Sequence, residues 1–199
     1  NIPRMVCIVS LGCPKNFVDT EIAAGSLLCR GLGITADEDE ADIMLINTCA
    51  FIDTARKESV DVIKGAIRWK KRREGRRIVV AGCLVQWKNA AQVREKFPEV
   101  DLWTGIDSVE QMGDMLAHLD NPAAPAVAAQ PCYIYNEKTS RVLLTPGHYA
   151  YLKIADGCDN RCSYCSIPNI RGSLRSRLTE SVLAEAQNLV DNGTKELII

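Results

Sequence analysis

The sequence lacks any apolar run long enough to cross a membrane, and it carries almost no net charge. No stretch of about 18 apolar residues occurs, which argues against a membrane-spanning helix. The formal net charge of 199 residues is −1, so no global charge favours nucleic acid or a lipid surface as a partner. The first residues, NIPRM, lack the charged and then apolar layout of a secretory signal, so we expect a cytoplasmic protein that contacts no membrane.

Two further absences narrow the kind of site. No GxGxxG motif follows a predicted strand, so the first domain should not bind a dinucleotide. Histidine is scarce, with only two residues in the chain. We expect His118 to be a favourable cation at a helix end, and we do not assign His148 to catalysis.

Cysteine, by contrast, is unusually abundant, with nine residues in the chain. A cytosolic protein keeps its thiols reduced, and an odd count suits paired bridges badly, so metal binding is favoured over a disulfide framework. We expect three of the cysteines to bind nothing: Cys7 lies in the middle of a strand, Cys29 on the apolar face of a helix, and Cys132 just after a linker.

Residues 1–120 alternate between strand and helix patterns and predict an α/β domain. MVCIVSLGC, ADIMLINTC, RRIVVAGC and VDLWTGI have the composition of buried strands, with helical spacing between them. We expect an open, mostly parallel sheet with helices on both faces. Residues 121–141 are predicted to form a linker and the start of a hairpin built from CYIYN and RVLLT.

Residues 142–199 predict the beginning of a second domain. A strand leads into a cysteine-containing loop, and a helix that Thr179 can cap is followed by another strand. One βαβ unit is too small to close a barrel or to form a self-sufficient sheet. We therefore expect this domain to be cut short and the chain alone to be inactive.

The first three long strands each end in a cysteine, at Cys13, Cys49 and Cys83. In a parallel sheet all carboxyl ends lie along one edge, so these residues should meet in space. Each also precedes a helix N-terminus, where partial positive charge favours a thiolate and an anionic metal centre. The simpler interpretation is that each is a small apolar residue filling the core.

A second trio has the spacing CxxxCxxC and consists of Cys158, Cys162 and Cys165. Turn and breaker residues such as Gly157 and Pro168 favour a loop wrapped around a ligand. Three alternatives stay open at this point: a helical core stripe, a redox CxxC pair, and a zinc site completed by a fourth ligand, for which His148 is the nearby histidine. Three thiolates leave one position vacant on a tetrahedral ion or a four-iron cube.

The CxxxCxxC loop, with Tyr164 before its last cysteine, resembles the radical S-adenosylmethionine superfamily motif. The resemblance implies that the second trio holds three irons of a four-iron, four-sulfur cluster, that S-adenosylmethionine binds the fourth iron, and that Tyr164 contacts its adenine. Its pairing with an upstream α/β domain is similar to the methylthiotransferase family, in which Cys13, Cys49 and Cys83 would hold a second such cluster. The second domain would then be the first βαβ unit of a truncated (βα) barrel.

Within that family, SLGCPKNFVDTE, INTCAFIDTARKES, AGCLVQW and IPNIRGSLRSR resemble the branch that adds a methylthio group to the β-carbon of an aspartate in a small-subunit ribosomal protein. The tRNA-modifying branch typically reads GCQMN at the first cysteine, where this chain has GCPKN. The resemblance implies a radical C–H cleavage, a methylthio group delivered from the second cluster, and an electron donor such as flavodoxin. The alternatives are a tRNA adenosine methylthiotransferase and a non-catalytic iron–sulfur or zinc scaffold.

Two groups of basic residues each allow two interpretations. RWKKRREGRR, from Arg68 to Arg77, carries seven basic residues at a helix end. We favour a solvated end over an RNA-contacting patch, since cations are stabilised near a helix C-terminus. Arg171, Arg175 and Arg177 either line the mouth of the active site or are exposed.

Overall fold

The computed structural model describes residues 3–120 and 131–199, and its first part contains a five-stranded parallel sheet. The strands are β1 Met5–Ser10, β2 Gly33–Thr35, β3 Ile43–Thr48, β4 Arg77–Gly82 and β5 Leu102–Thr104. They lie in the order β2-β1-β3-β4-β5, and all neighbouring pairs are parallel. The predicted α/β class is therefore confirmed.

Helices cover both faces of this sheet. They are α1 Pro14–Cys29, α2 Asp53–Lys70, α3 Cys83–Gln86, α4 Ala90–Lys96 and α5 Met112–Ala117, with a 3-10 helix at Ile106–Gln111. Side chains alternate along each strand, so Ile43 and Leu45 of β3 pack with α1 and α5. Met44 and Ile46 pack on the opposite face with α2 and α3. This alternation places one apolar core on each side of a sheet that is buried on both faces.

The sequence patterns missed several short elements of this part. Strand β2 has three residues and α4 has seven, which is too few for periodicity to show. Cys29, expected on the apolar face of α1, is exposed at the end of that helix, where its thiol contacts the Ser140 hydroxyl at 3.3 Å. Cys7 is buried in β1, as expected.

The hairpin predicted from CYIYN and RVLLT is wrong, because residues 131–145 contain no strand. Several of their backbone amides bond to side chains instead. The amides of Cys132 and Tyr133 donate to the Asp107 carboxylate at 2.8 and 3.2 Å, and the amide of Leu144 donates to Glu21 at 2.8 Å. The segment is thus an extended strap across the first part. Apart from Pro131, the predicted linker lies outside the described residues.

The remaining residues form a small parallel unit. Strand β6 Tyr149–Tyr151 pairs in parallel with β9 Glu196–Ile198, and α7 Thr179–Asp191 packs against them. Between them, β7 Ala155–Asp156 pairs antiparallel with β8 Arg175–Ser176, and α6 spans Ile167–Arg171. Helix α7 begins at Thr179 with Leu178 at the N-cap position and no side-chain cap, so the predicted capping role of Thr179 is wrong.

None of the described helices combines the length and apolar character that crossing a membrane requires.

Candidate iron–sulfur sites

The first three cysteines lie at the carboxyl edge of the sheet, where its connections reverse direction. In the order β2-β1-β3-β4-β5, β2 lies on one side of β1, and β3, β4 and β5 follow on the other side. The strand order therefore reverses between β1 and β3, and open α/β sheets bind ligands in the crevice at such a switch point. Cys13 follows β1, Cys49 follows β3 and Cys83 follows β4. Topology therefore places all three on one edge, as the sequence predicts.

Two features fix Cys49 at this edge. Its amide donates to the Ser59 hydroxyl at 3.1 Å, and that hydroxyl donates back to the Cys49 carbonyl at 2.8 Å, so buried Ser59 of α2 holds the backbone on both sides. Gly12, beside Cys13, has φ +91, and a Cβ there would lie 2.7 Å from the Cys49 sulfur. The loops of Cys13 and Cys49 therefore touch, and no side chain fits between them.

Substituting Gly12 with alanine should displace Cys49. The added Cβ would lie 2.6 Å from the Cys49 Cβ, so the thiol must move, and iron bound by the first trio should be lost. Gly31→Ala is the matched control, because Gly31 also has positive φ, +73, but open space around it. Gly31→Ala should lower the free energy of unfolding by only the roughly 1–2 kcal/mol that an L-residue costs in the left-handed conformation. Iron content and urea unfolding measure both effects; equal iron content in the two variants would contradict this prediction.

Cys83, like Cys49, is buried. It is the first residue of α3 and is 6% exposed. Burial raises the pKa of its thiol to about 11, although the guanidinium of Arg171 opposes this shift. The Arg171 Nη2 atom lies 3.5 Å from the Cys83 sulfur and donates a hydrogen bond to it.

The second trio lies in a loop, as the sequence predicts, and not on a helix. Residues 157–166 form no helix, which removes the alternative of a helical core stripe. Cys162 is exposed and Cys158 and Cys165 are half-buried. The amide of Cys158 donates to the Gly172 carbonyl at 3.1 Å, and the amide of Cys165 donates to the Cys162 carbonyl at 3.0 Å. Backbone hydrogen bonds thus tie this short loop together, and its thiols remain accessible to solvent.

Three contacts join this loop region to the loops of the first trio. Ser166, next to Cys165, donates to the carbonyl of Phe51 at 3.2 Å. Lys15, two residues after Cys13, donates to the carbonyl of Ala155 at 2.8 Å. Arg171 reaches Cys83, as described above. The two trios, although far apart in sequence, therefore belong to one region of the molecule.

A buried group of charges holds the two parts together at this region. Asp19 of α1 accepts from Lys153 at 2.5 Å and from Arg171 at 2.8 Å. Asp156 binds the same two cations, at 3.3 and 2.8 Å. Although burial raises the pKa of Asp156, Lys153 and Arg171 hold it at about 2. We call Asp19, Lys153, Asp156 and Arg171 the charge cluster.

A second buried network lies beside the charge cluster. Arg141 of the strap binds Glu21 of α1 and Glu185 of α7, both at 2.6 Å. Glu185 also binds Arg177, whose guanidinium lies 4.2 Å from the centre of the Tyr135 ring. Arg171 and Arg177 were expected to line a mouth or to be exposed; they are 5% and 8% exposed and bind carboxylates instead.

The basic run at Arg68–Arg77 lies at the other edge of the sheet. Helix α2 starts just after Cys49 and ends at Lys70, and its 18 residues span about 27 Å. Lys70, Arg73, Arg76 and Arg77, four of the seven basic residues, form ion pairs with aspartates. Intramolecular pairing thus accounts for much of this run.

The donor sets suit iron–sulfur chemistry. Each trio offers three soft sulfur ligands, the kind that clusters take. Among residues 3–120 and 131–199, no three Cys, His, Asp or Glu side chains converge on one point that a single metal ion could fill. Ligands of a cube do not converge in this way, because each thiolate binds a different iron atom. The histidine rings have other neighbours: the His118 ring contacts the Asp114 carbonyl, and the His148 ring packs against the Tyr149 ring.

Comparison with known proteins identifies the family. Residues 5–105, about half of the chain, match the uncharacterized protein family UPF0004, and the chain belongs to that family. The matched region begins at β1 and ends just after β5, so it coincides with the five-stranded sheet and contains the first trio.

Curated relatives carry a more specific name. The chain is 46% identical, over 98% of its length, to ribosomal protein uS12 methylthiotransferase RimO of Syntrophus aciditrophicus. It is 43% identical over 96% to the protein of that name from Solibacter usitatus, and 45% identical over 98% to the one from Trichlorobacter lovleyi. It spans 44%, 40% and 44% of their lengths, respectively. The predicted kinship with the methylthiotransferases is confirmed.

Proposed function

We propose that this chain carries the two cluster-binding segments of a radical S-adenosylmethionine methylthiotransferase, which adds a methylthio group to the β-carbon of an aspartate in a small-subunit ribosomal protein. The single observation that carries the proposal is the junction of the two cysteine trios at one surface, through the pairs Ser166–Phe51, Lys15–Ala155 and Arg171–Cys83. A reaction that uses two clusters on one carbon atom requires this proximity.

Six cysteines would hold the two clusters: Cys13, Cys49 and Cys83 one of them, and Cys158, Cys162 and Cys165 the other. When bound, the clusters and S-adenosylmethionine supply the electron and the radical chemistry that breaks an unactivated C–H bond, which no side-chain base can deprotonate. The chain's own residues then position these groups. Ser59 fixes the Cys49 backbone, Gly12 allows close approach of the first two loops, and the charge cluster fixes one trio against the other.

Tyr164 is proposed to contact the adenine of S-adenosylmethionine. It is 91% exposed, so it contributes little to the folded chain. Tyr164→Ala should therefore change the free energy of unfolding by no more than about 0.5 kcal/mol, yet weaken S-adenosylmethionine binding. Tyr164→Phe, which retains the ring, should bind as the unaltered protein does. Equilibrium dialysis with cluster-loaded protein measures binding; equal affinity of the alanine variant would refute this role.

The decisive experiment uses the full-length protein, loaded anaerobically with iron and sulfide. It is given S-adenosylmethionine, a low-potential reductant and a ribosomal-protein peptide containing the target aspartate, and products are identified by mass spectrometry. We expect 5′-deoxyadenosine together with methylthio-aspartate. Methylthio-adenosine in a parallel reaction with tRNA would instead favour the tRNA branch. Absence of 5′-deoxyadenosine would favour a non-catalytic scaffold.

The partners follow from this function. A ribosomal-protein substrate implies that the enzyme acts in the cytoplasm, on or near the ribosome. The radical chemistry requires an electron donor such as flavodoxin. RNA contact through Arg68–Arg77 would involve a surface at the far edge of the sheet from the cysteines. Such contact would dock the enzyme and would not take part in the chemistry.

A further inference from the structure

Arg171 contacts a candidate cluster ligand from the opposite segment of the chain. It is the last residue of α6, which begins two residues after Cys165. Its Nη2 atom donates to the Cys83 sulfur at 3.5 Å, and its side chain is buried. One guanidinium thus connects the loop of the second trio with a sulfur atom of the first.

The position of this guanidinium is fixed from several sides. Its Nη1 atom donates to Asp19 and to Asp156, each at 2.8 Å, while Nη2 also donates to the Asn16 side-chain oxygen at 3.2 Å. Two carboxylates balance the two cations of the charge cluster. The fork of donors, and not a surplus of positive charge, is therefore what Arg171 offers to the sulfur.

We propose that Arg171 is a positioning residue for the cluster of the first trio, and that its hydrogen bond to the Cys83 sulfur raises the reduction potential of that cluster. Reduction adds negative charge to a cluster and its sulfur ligands, so a donor held at a ligand sulfur stabilises the reduced state. The inference rests on the proposed function, since it requires a cluster at Cys13, Cys49 and Cys83. Helix α6 would then have two roles: it closes the CxxxCxxC loop and it carries the arginine that bonds to Cys83.

The first test measures the potential of that cluster alone. Full-length protein with Cys158, Cys162 and Cys165 replaced by alanine would keep only the first cluster, and its reduction is followed by electron paramagnetic resonance. Arg171→Met should shift the midpoint potential to a lower value, and Arg171→Lys should also lower it, because lysine keeps the charge but loses the fork of donors. An unchanged midpoint in Arg171→Met would overturn the inference.

Arg141→Met is the matched control for this titration. Arg141 is also a buried arginine that joins α1 to the later segment, through Glu21 and Glu185. Within the described residues, its side chain bonds to these two carboxylates and to the Tyr151 carbonyl, and to no cysteine. Its replacement should destabilise the interface without changing the midpoint. An equal shift in both variants would assign the effect to the interface and would contradict a role for the N–H···S hydrogen bond.

A second measurement tests the contact with Arg171 itself in place, so its main result does not depend on the folding of an Arg171 variant. Protein labelled with ¹⁵N-arginine, again with only the first cluster, should show a ¹⁵N hyperfine coupling in the reduced state, and Arg171→Lys should remove it. Lack of coupling in the labelled protein would refute the contact. If the unaltered first trio bound no iron at all, the proposed function itself would fail, which iron analysis distinguishes from failure of this inference.

Discussion

Replacing Cys83 with alanine should remove one of two iron–sulfur clusters from the full-length protein, so that about half of the bound iron and sulfide is lost. The remaining two thiolates of the first trio cannot hold a cube that needs three. Methylthio product should disappear with the cluster, whereas 5′-deoxyadenosine should still form, because the second trio is intact. Iron and sulfide assays, with mass spectrometry of the products, measure these outcomes.

Cys7 provides a matched control for this substitution. Cys7 and Cys83 are both 6% exposed and pack in the same apolar cluster, so loss of either thiol leaves a similar small cavity. Cys7→Ala should lower stability by a similar amount and leave the iron content unchanged. If the two variants held the same iron, the assignment of Cys83 as a cluster ligand would be refuted.

The placement of the cysteines could be predicted from the sequence because it follows from topology. Parallel strands end at one edge whatever fills the rest of the fold, so a cysteine after each strand is enough to predict that Cys13, Cys49 and Cys83 gather there. The CxxxCxxC loop is similarly local, since its turn residues lie within the motif. Boundaries of β1, β3 and β4 follow from the apolar runs that form them.

The interface that holds the two segments together could not be predicted in this way. Asp19 and Glu21 lie in a helix whose apolar residues Val18 and Ile22 are buried, as the spacing predicts. Charged residues between such apolar positions are usually exposed to solvent, so the sequence gives no sign that these two carboxylates are buried. Their burial depends on Lys153 and Arg141, which lie 134 and 120 residues away in the sequence. Periodicity reports where apolar side chains go; it contains no information about a distant cation that neutralises a buried charge.

The hairpin error has the same origin. Tyr133 and Tyr135 alternate as strand residues do, but the strap's amides bond to Asp107 and Glu21. Tyr135 is 2% exposed and packs with Val18 and Ile22 of α1. A strand pattern predicts which side chains face the core, and in this segment it is correct about Tyr135. It does not specify what the backbone bonds to, since side-chain carboxylates can replace a neighbouring strand.

Replacing Asp19 with alanine should destabilise the folded protein by about 3–5 kcal/mol. Asp19 is 3% exposed, and its removal leaves Lys153 and Arg171 with Asp156 as their shared carboxylate in the charge cluster, so one buried positive charge loses its balance. Urea unfolding of the full-length protein measures the loss of stability. The hydrogen-exchange rate of backbone amides should increase most in α6, which the charge cluster holds against α1.

Asp61→Ala is the control for this effect, because Asp61 also pairs with a lysine, Lys64, at 2.9 Å, but is 71% exposed. An exposed pair of this kind contributes about 0.3–0.5 kcal/mol, so its loss should be near the limit of measurement. A change of less than 1 kcal/mol for Asp19→Ala, as for Asp61→Ala, would mean that water compensates the buried cations. The charge cluster would then not be what fixes the two cysteine trios relative to each other, and the hydrogen bond from Arg171 to Cys83 would lose its rigid support.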